Sequence, residues 1–260
     1  MRIVVCMKQT FDTEAKIALT ADGLIDSTGV TLVVDPYSEF AVEKGIQFKE
    51  KFGGEVVIVC IGDTQAETAI RQCMAMGADR AVIVTDPAMD GSDQSATARV
   101  LAKAVISQEP DIILGGFKSV DSGSAQVMLR LAEILNLPHV NVVTNIEIGE
   151  GKAIATRELD DGVELVEVSL PAIFTAQQGL AEPRYPSVKG IMQAKKKELK
   201  RLTLADLDID PTSVGPANAK VKIHGLTLPA PRKGGRIIGG EIPEATADLV
   251  KALRDEAKVI

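Results

Sequence analysis

The run Ser119–Gln126, with the sequence SVDSGSAQ, holds the residues of this chain best suited to bind a ligand. Its three serines, aspartate and glycine follow the apolar run Ile112–Leu114 and precede a stretch with helical spacing. Backbone N–H groups at a helix start, together with serine hydroxyls, favour a bound anion, so the run predicts a phosphate-binding loop. The competing interpretation is structural, because an aspartate or serine at this place, here Asp121 or Ser122, is also a common helix N-cap.

Two further junctions follow apolar runs in the same way. In Asp35-Pro36-Tyr37-Ser38, Asp35 suits a helix N-cap, Pro36 suits the first helical position and Tyr37 offers a flat ring. The second junction is Gly62-Asp63-Thr64. Ligands of open α/β sheets bind at the carboxyl ends of the strands, so three such junctions predict a nucleotide site. The spacing is not GxGxxG, and an ordinary dinucleotide fingerprint is therefore absent.

The sequence predicts no catalytic residue and no metal site. His139 and His224 have no metal-ligand neighbour at helical spacing, and neither a GxSxG elbow nor a GK[ST] loop occurs. The three cysteines, Cys6, Cys60 and Cys73, lie in apolar runs without CxxC spacing. We interpret them as buried, reduced thiols of a cytosolic protein.

Composition narrows the class of protein further. The 260 residues carry a net charge of −7, which disfavours duplex nucleic acid, and no Trp with only two Tyr leaves few stacking platforms for single strands. The apolar run Val56–Ile61 is far shorter than the roughly 18 residues of a membrane helix, and MRIVVCMK is too short for a signal peptide. We expect a cytoplasmic protein, or a matrix protein if it comes from an organelle.

Short apolar runs alternate with helical patterns in the first half of the chain. This alternation predicts an α/β fold with a doubly wound, mostly parallel, Rossmann-like sheet of the adenine-nucleotide-binding type. The predicted buried strands are Ile3–Val5, Thr31–Val34, Val56–Ile61, Ala81–Val84 and Ile112–Leu114. The helical faces are marked by Ala41, Gly45, Phe48 and Phe52, by Ala66, Ala69, Ile70, Cys73 and Met74, by Ala98, Leu101, Ala102 and Val105, and by Ala125, Met128, Leu129, Ala132 and Leu135.

The pattern changes after about Leu137. Extra strands are predicted at 140–148, 153–159, 163–168 and 172–175. The stretch 211–236 is rich in Pro, Gly and Lys and predicts an extended arm, followed by a short amphipathic helix that Pro243 opens. Its inward face is predicted to hold Ala245, Leu249, Ala252 and Leu253. We therefore divide the chain into residues 1–210 and residues 211–260, with the arm lying either on its own domain or on a partner subunit.

Several long blocks resemble the β subunit of the electron transfer flavoproteins. The most specific is the nearly continuous stretch from Ala155 to Lys197, which includes TRELDDG, LPAIFTA, QQGLAEPRYP and GIMQAKKK. The other blocks, in the same order, are Val5–Lys8, Asp35–Glu43, Arg71–Arg80 and Ala257–Ile260. The resemblance runs nearly end to end.

The resemblance implies an αβ heterodimer that carries electrons, rather than a catalyst on its own. It implies a redox FAD mainly in the α subunit, donors of the acyl-CoA dehydrogenase type, and a membrane quinone oxidoreductase as acceptor. Simple members hold AMP in the β subunit, which we favour here. Electron-bifurcating members hold a second FAD in the same pocket and oxidise NADH, and this alternative stays open. Residues 211–260 are then expected to pack on the α subunit.

The resemblance also maps the nucleotide contacts onto the three junctions. The expected contacts are Cys6, Asp35, Pro36, Tyr37, Ser38, Ile61, Gly62, Ser119, Val120, Asp121, Ser122, Gly123, Ser124, Ala125 and Gln126. Many relatives have Asn where Asp35 stands, and a carboxylate there does not favour a nearby phosphate. Tyr37 is expected to lie toward the α-subunit flavin.

The resemblance places a partner-docking loop at Gly179–Tyr185, with Leu180 as its apolar anchor. The expected docking residues are Gly179, Leu180, Ala181, Glu182, Pro183, Arg184 and Tyr185. The alternative is that Leu180 packs in its own domain. The basic run Lys195–Arg201 is expected either to be a solvated face or to steer acidic partners.

A different class of protein is a stand-alone ATP-binding or stress-type protein on a related sheet. Such a protein would be expected to carry an SGG-type phosphate loop early in the chain. Met7-Lys8-Gln9-Thr10 follows the first strand instead, which disfavours this reading of the sequence.

Overall fold

The structure is a computed structural model that describes residues 1–231 and 234–260. It divides into two compact units. The first comprises Met1–Ile17 and Asp26–His224, and the second comprises Ala18–Ile25 and Gly225–Ile260. The segment Pro211–His224 therefore belongs to the first unit, where Val214 is buried and the N–H of Gly215 donates to Ser92 Oγ at 2.8 Å. The packing of the later residues on a partner stays a prediction.

The strands and helices alternate along the first half of the chain, as predicted. The strands are β1 (Arg2–Cys6), β2 (Gln9–Phe11), β3 (Ala18–Leu19), β4 (Ile25–Asp26), β5 (Leu32–Val34), β6 (Glu55–Ile61), β7 (Arg80–Val84), β8 (Ile112–Gly116), β9 (His139–Ile148), β10 (Lys152–Leu159), β11 (Gly162–Ser169), β12 (Ala172–Ala176) and β13 (Leu199–Leu202). The α-helices are α1 (Pro36–Phe52), α2 (Ala66–Met76), α3 (Gln94–Ile106), α4 (Val127–Leu135), α5 (Val188–Ala194) and α6 (Ile242–Lys251).

Among the described residues, nine strands form the central sheet, in the order β11-β10-β9-β12-β8-β1-β6-β7-β13. Seven neighbouring strands of the sheet run parallel, namely β9, β12, β8, β1, β6, β7 and β13. Strands β10 and β11 add an antiparallel meander at one edge. Helices cover both faces, because alternate residues of each strand point to opposite sides. Ile3 and Val5 of β1 pack with α1 and α2, whereas Val4 and Cys6 pack with α3 and α4. The predicted doubly wound α/β fold is confirmed.

The prediction that Thr31–Val34 is a strand of the main sheet was wrong. Leu32–Val34 pairs antiparallel with Gln9–Phe11 in a separate two-stranded ribbon, and only Val34 of β5 is buried. Strand β1 already has β6 and β8 as its two neighbours, so no place beside it remains for β5. The ribbon brings the chain back beside β1, where the N–H of Asp35 donates to the carbonyl of Lys8 at 2.9 Å.

The C-terminal helix agrees with its predicted packing except at one residue. Pro243 lies in its first turn, and Ala245, Ala252 and Leu253 are partly buried, whereas Leu249 is 47% exposed. The helix continues into a π-helical turn at Ala252–Ala257. No helix of the described residues has the length and apolar character needed to cross a bilayer.

Candidate functional site

A cavity of about 570 Å³ opens at the carboxyl ends of four neighbouring parallel strands, β8, β1, β6 and β7. Its lining comes entirely from the first unit. This is the edge at which open α/β sheets bind ligands, because the strand ends and the helix starts leave a crevice there.

Most of the residues predicted to bind the nucleotide line this cavity. They are Cys6, Asp35, Ser38, Ile61, Gly62, Ser119, Ser122, Ser124, Ala125 and Gln126. The other five lie next to the lining in the chain, on the first turn of α1 or in the 119–126 loop, and they are Pro36, Tyr37, Val120, Asp121 and Gly123. The structure thus brings all three predicted junctions to one cavity.

One wall of the cavity was missed by the sequence analysis. It follows β7 and runs through Thr85, Asp86, Asp90 and Asp93 to the start of α3. A signal was present, because Asp86-Pro87 follows β7 as Asp35-Pro36 follows β5. The same rule about strand ends that found the other junctions would have found this one.

The 119–126 loop does not begin a helix, contrary to the prediction. Helix α4 starts only at Val127, and Ala125 lies outside it with φ of 52°. The N-cap residue is Gln126, and no side chain makes a capping hydrogen bond there, so the N-cap role considered for Asp121 and Ser122 is wrong. Helices α1 and α3, which also begin at this cavity, are capped by Asp35 and Asp93. The backbone N–H groups at the start of α4 can therefore donate hydrogen bonds to a bound anion.

Two side chains hold this loop in place from the neighbouring elements. Lys8 Nζ, just after β1, lies 2.5 Å from Asp121 Oδ2. Asp35 Oδ2 accepts a hydrogen bond from the N–H of Val120 at 2.8 Å. Burial raises the pKa of Asp121, but the hydrogen bonds from Lys8 and Ser119 and from the N–H of Ser122 lower it more. The pKa of this carboxyl group is therefore below its usual value.

Asp35 has a supporting position rather than a free one. Its side chain is 1% exposed, and its Oδ1 accepts from the N–H of Tyr37 at 3.0 Å while Oδ2 holds Val120. Burial raises the pKa of Asp35, and the N–H groups of Val120, Tyr37 and Ser38 offset part of that shift. With both oxygens engaged, this carboxylate ties α1 to the 119–126 loop.

The charges around the cavity are unequal. Two lysines, Lys8 and Lys118, line it on the side of β1 and β8. Its five aspartates are Asp35, Asp63, Asp86, Asp90 and Asp93. Within residues 1–231 and 234–260, no cluster of His, Cys, Asp and Glu side chains is placed to hold a metal ion. The cavity therefore offers one cationic side and one acidic side to a ligand.

Cys6 is the cavity-lining thiol. It lies at the end of β1 and is 8% exposed, and burial raises its pKa to about 12. A thiol with such a pKa stays protonated near neutral pH and is a poor nucleophile. The cavity can hold a ligand through Cys6, but this residue offers no reactive thiolate.

Tyr37 belongs to an aromatic cluster beside the cavity. Its ring lies edge-on to Phe117 with the ring centroids 4.7 Å apart, and to Phe40 at 6.2 Å. Lys118 Nζ lies 5.0 Å from the Phe117 centroid and 5.6 Å from the Tyr37 centroid. These contacts hold the Tyr37 ring where β8 and α1 meet.

The Gly179–Tyr185 segment is placed differently from the prediction at its anchor. Leu180 is 5% exposed and packs within the core of its own domain, and Ala181 is also buried. Tyr185, in contrast, is 96% exposed. The packing of Leu180 agrees with the alternative considered from the sequence.

A cluster of exposed apolar side chains follows Leu180 in the chain. We define it as the docking patch, formed by Tyr185, Val188, Ile191 and Met192. Val188, Ile191 and Met192 share one face of α5, because they are three and four residues apart. Three exposed lysines lie within or just after the patch in the sequence: Lys189, Lys195 and Lys196. A concentration of exposed apolar groups with a charged rim is typical of an interaction surface.

Comparisons with known proteins show the family to which the chain belongs. A family model described as the electron transfer flavoprotein domain matches residues 22–207. The chain is similar to the electron transfer flavoprotein subunit beta of Bacillus subtilis, at 44% identity over 100% of both chains. It is 45% identical to the subunit of the same name from Syntrophomonas wolfei, over 100% of this chain and 98% of the relative. It is also 34% identical to subunit CarD of the caffeyl-CoA reductase-Etf complex of Acetobacterium woodii, over 98% of this chain and 99% of the relative.

Proposed function

Because this chain belongs to the electron transfer flavoprotein family, as a β subunit, we propose that it carries electrons from acyl-CoA dehydrogenases or similar flavoenzymes to a membrane quinone oxidoreductase. Membership implies a heterodimer with an α subunit and electron transfer associated with a flavin. The named donor and acceptor and a cytoplasmic location belong to the proposal.

The observation that carries the proposal is the cavity at the strand ends. It joins an uncapped helix start, serine hydroxyls and a lysine, which suit a nucleotide phosphate. Its thiol, Cys6, is protonated, and its most buried carboxylate, Asp35, is engaged by backbone N–H groups. These groups can bind a ligand but are not prepared for covalent chemistry, as expected of a subunit that holds a nucleotide in place.

The nucleotide that we favour is AMP. Its phosphate would lie at the start of α4, near Ser122, Ser124 and Lys8. Asp63 and Asp86 follow β6 and β7, which lie two and three strands from β8, or about 10 and 14 Å away. Both carboxylates already accept hydrogen bonds from neighbours, Asp63 from Gln65 and Asp86 from the N–H groups of Ala88 and Leu204, and their negative charge would repel further phosphates. This charge distribution favours a monophosphate.

The alternative is an electron-bifurcating subunit that holds a second FAD here and takes part in NADH oxidation. Two observations favour keeping it: the cavity volume of about 570 Å³ and the relative CarD, which belongs to a caffeyl-CoA reductase-Etf complex. The acidic side of the cavity is the argument against it, since the pyrophosphate of FAD carries more negative charge than AMP.

The redox FAD is proposed to lie mainly in the α subunit, with this chain covering one side of it. The aromatic cluster of Tyr37, Phe40 and Phe117 is the part of this chain that we assign to that contact. Residues from Gly225 onward, which form part of the second unit, are proposed to pack on the α subunit.

The docking surface is proposed to be the docking patch rather than Leu180 alone. Leu180 is buried, whereas Val188 is 77% and Met192 67% exposed. Burying such a side chain contributes roughly 1.5–3 kcal/mol, and association costs several kcal/mol, so a few of them support a short-lived complex. The surrounding lysines favour a partner with an acidic rim, for which we propose an electron-donating flavoenzyme of the acyl-CoA dehydrogenase type.

The experiment that tests this function uses the αβ heterodimer. An acyl-CoA dehydrogenase reduced with butyryl-CoA should reduce the heterodimer's flavin in stopped flow, and a soluble quinone with the membrane oxidoreductase should reoxidise it. NADH alone should not reduce it. No reduction by the dehydrogenase would contradict the proposed donor, and rapid reduction by NADH would favour the bifurcating alternative.

A further inference from the structure

Arg184 forms the most extensive ion-pair contact next to the docking patch. Its Nε donates to Oε2 of Glu43 at 2.9 Å, and its Nη2 donates to Oε1 of Glu43 at 2.9 Å. Its Nη1 and Nη2 lie 2.6 and 2.9 Å from the oxygens of Glu50. Its backbone N–H also donates to Glu43 at 3.3 Å. One guanidinium therefore joins the segment before α5 to two carboxylates of α1.

The burial of Glu43 shows that this contact is built into the domain. The Glu43 side chain is 4% exposed, whereas Arg184 is 36% and Glu50 53% exposed. A buried carboxylate needs a cation and further hydrogen bonds to offset its desolvation, and Gln47 Nε2 adds one more at 3.1 Å. Hydrogen bonds to Glu50 and Glu43 raise the pKa of Arg184, so its guanidinium stays charged near neutral pH.

Helix α5 is fixed at its other end as well. Arg71 Nη1 donates to the carbonyls of Ala194 and Lys197 at 2.7 and 2.8 Å. Lys197 Nζ in turn donates to the carbonyls of Met74 and Ala78 at 2.9 and 2.6 Å. Gly190 lies so close to the carbonyl of Ala75 that a side chain there would overlap it. The patch is thus carried on a short helix that is held at both ends.

We propose that Arg184 is a positioning residue, which holds the docking patch on helix α1 in the orientation that an electron-donating flavoenzyme contacts. This inference rests on the proposed function and adds a device to it. Its basis is geometry: α1 begins at the cavity with Tyr37, and Glu43 and Glu50 lie about 9 and 20 Å farther along its axis. The same rigid helix therefore sets the cavity edge and the patch at a fixed separation.

When the docking patch is already ordered, less conformational entropy is lost as the dehydrogenase binds. Disordering the patch should therefore weaken binding of the dehydrogenase more than it slows electron transfer within the complex. In Arg184→Gln heterodimers, we expect the KM for the butyryl-CoA-reduced dehydrogenase to rise about tenfold while kcat stays within about twofold. Arg184→Lys should restore part of the effect, because it keeps the charge but loses the two-pronged geometry. Hydrogen exchange in the peptide covering 179–194 should be faster in Arg184→Lys than in the unsubstituted protein, and faster still in Arg184→Gln.

The matched control is Arg2→Gln. Arg2 also bridges two glutamates, Glu55 and Glu109, and its side chain has a similar exposure of 37%. It lies at the start of β1, whereas the cavity opens at the carboxyl end of that strand. It should leave the KM and the 179–194 peptide unchanged. Flavin and nucleotide contents, measured after extraction, should match the unsubstituted heterodimer in all variants.

Three results would overturn the inference. These are an unchanged KM in Arg184→Gln, an equal rise in Arg2→Gln, and a rise accompanied by loss of bound cofactor. Val188→Asp separates this inference from the docking surface itself. If Val188→Asp raises the KM and Arg184→Gln does not, Arg184 has no positioning role. If Val188→Asp has no effect either, the docking patch is wrong, and the role of Arg184 is wrong with it.

Discussion

The cavity and the docking patch lie on the same domain but bind in opposite ways. The cavity is concave, and its polar groups, such as Asp35 and Lys8, are already engaged by neighbours on other elements. The docking patch projects outward, and its apolar groups, such as Tyr185 and Val188, have most of their surface exposed. The first arrangement suits a ligand that stays, and the second suits a partner that leaves.

Helix α1 contributes residues to both regions. At its first turn α1 carries Asp35 and Tyr37, which shape the cavity, and about two helical turns later it carries Glu43, which holds Arg184. Substitutions that leave α1 in place should therefore affect binding at only one of the two regions.

The largest effect is expected from Val188→Asp. A charge placed in the apolar surface would be desolvated on docking, so the KM for the reduced dehydrogenase should rise about thirtyfold or more. Nucleotide content should not change. The control is Ile106→Asp, which alters another exposed aliphatic residue, on α3, and should leave the KM unchanged. Equal effects of the two substitutions would contradict a localised patch.

Gly116→Val should act on the cavity alone. A Cβ at Gly116 would lie 2.8 Å from the Tyr37 Cβ and 3.1 Å from the Tyr37 carbonyl carbon. Overpacking of this kind costs about 1–3 kcal/mol of unfolding free energy and should push the 119–126 loop away from the first turn of α1. We expect reduced nucleotide content in the purified heterodimer and a lower urea midpoint.

The control for Gly116→Val is Gly53→Ala, at the end of α1 and outside the cavity lining. No atom lies within 4 Å of its new Cβ, so only the φ of 73° opposes it, at a cost of about 1 kcal/mol. Its nucleotide should therefore be retained. Equal nucleotide loss in the two variants would show that the loss reflects lower stability and not the contact with Tyr37.

The Lys8–Asp121 pair should make the loop sensitive to acid. The pKa of Asp121 is lowered, so below its ordinary value near 3.8 the unfolded chain binds more protons than the native protein. The contribution of Asp121 is therefore present at neutral pH and is lost as the pH falls through its native pKa. Because both partners are partly exposed, we expect at most about 1 kcal/mol.

The measurement is urea unfolding of the heterodimer between pH 2 and 7, because the difference should change only below about pH 4. Asp121→Asn should be less stable than the unsubstituted protein at pH 7, and the two should converge at the acid end. A constant difference across that range would show that the ion pair does not cause it.

The smallest effect is expected from Lys195→Gln combined with Lys196→Gln. Both lysines are exposed, so their attraction to an acidic partner is screened by salt. The KM should rise about two- to threefold at low ionic strength and return to the unsubstituted value in about 0.5 M salt. A salt-independent rise would indicate a direct contact instead of electrostatic steering.

Local patterns predicted the central sheet except for its edge strand β13, and three of the strand-end junctions that line the cavity. Val56–Ile61 and Ile112–Leu114 are short apolar runs that favour strands covered on both faces, and the junction residues after them lie at the cavity. Thr31–Val34 has the same composition, but its place depends on the strands already paired with β1, which no local pattern reveals.

The failures at α4 and Leu180 have related causes. The serine-rich loop resembles an N-terminal cap, but its aspartate pairs with Lys8 across the sheet edge, and the helix starts later. Leu180 and Val188 are both aliphatic residues near a proline, and only the packed core separates the buried one from the exposed one. Tertiary contacts, which a single sequence does not display, decide both cases.

The most direct test of the account is the nucleotide content of the heterodimer. The chain should be purified with its α subunit, denatured, and its released nucleotides quantified by chromatography. We predict one FAD and one AMP per heterodimer, because the cavity pairs a single phosphate-binding end with an acidic side. Two FAD and no AMP would contradict that account and would make this chain a redox-active subunit of the bifurcating type.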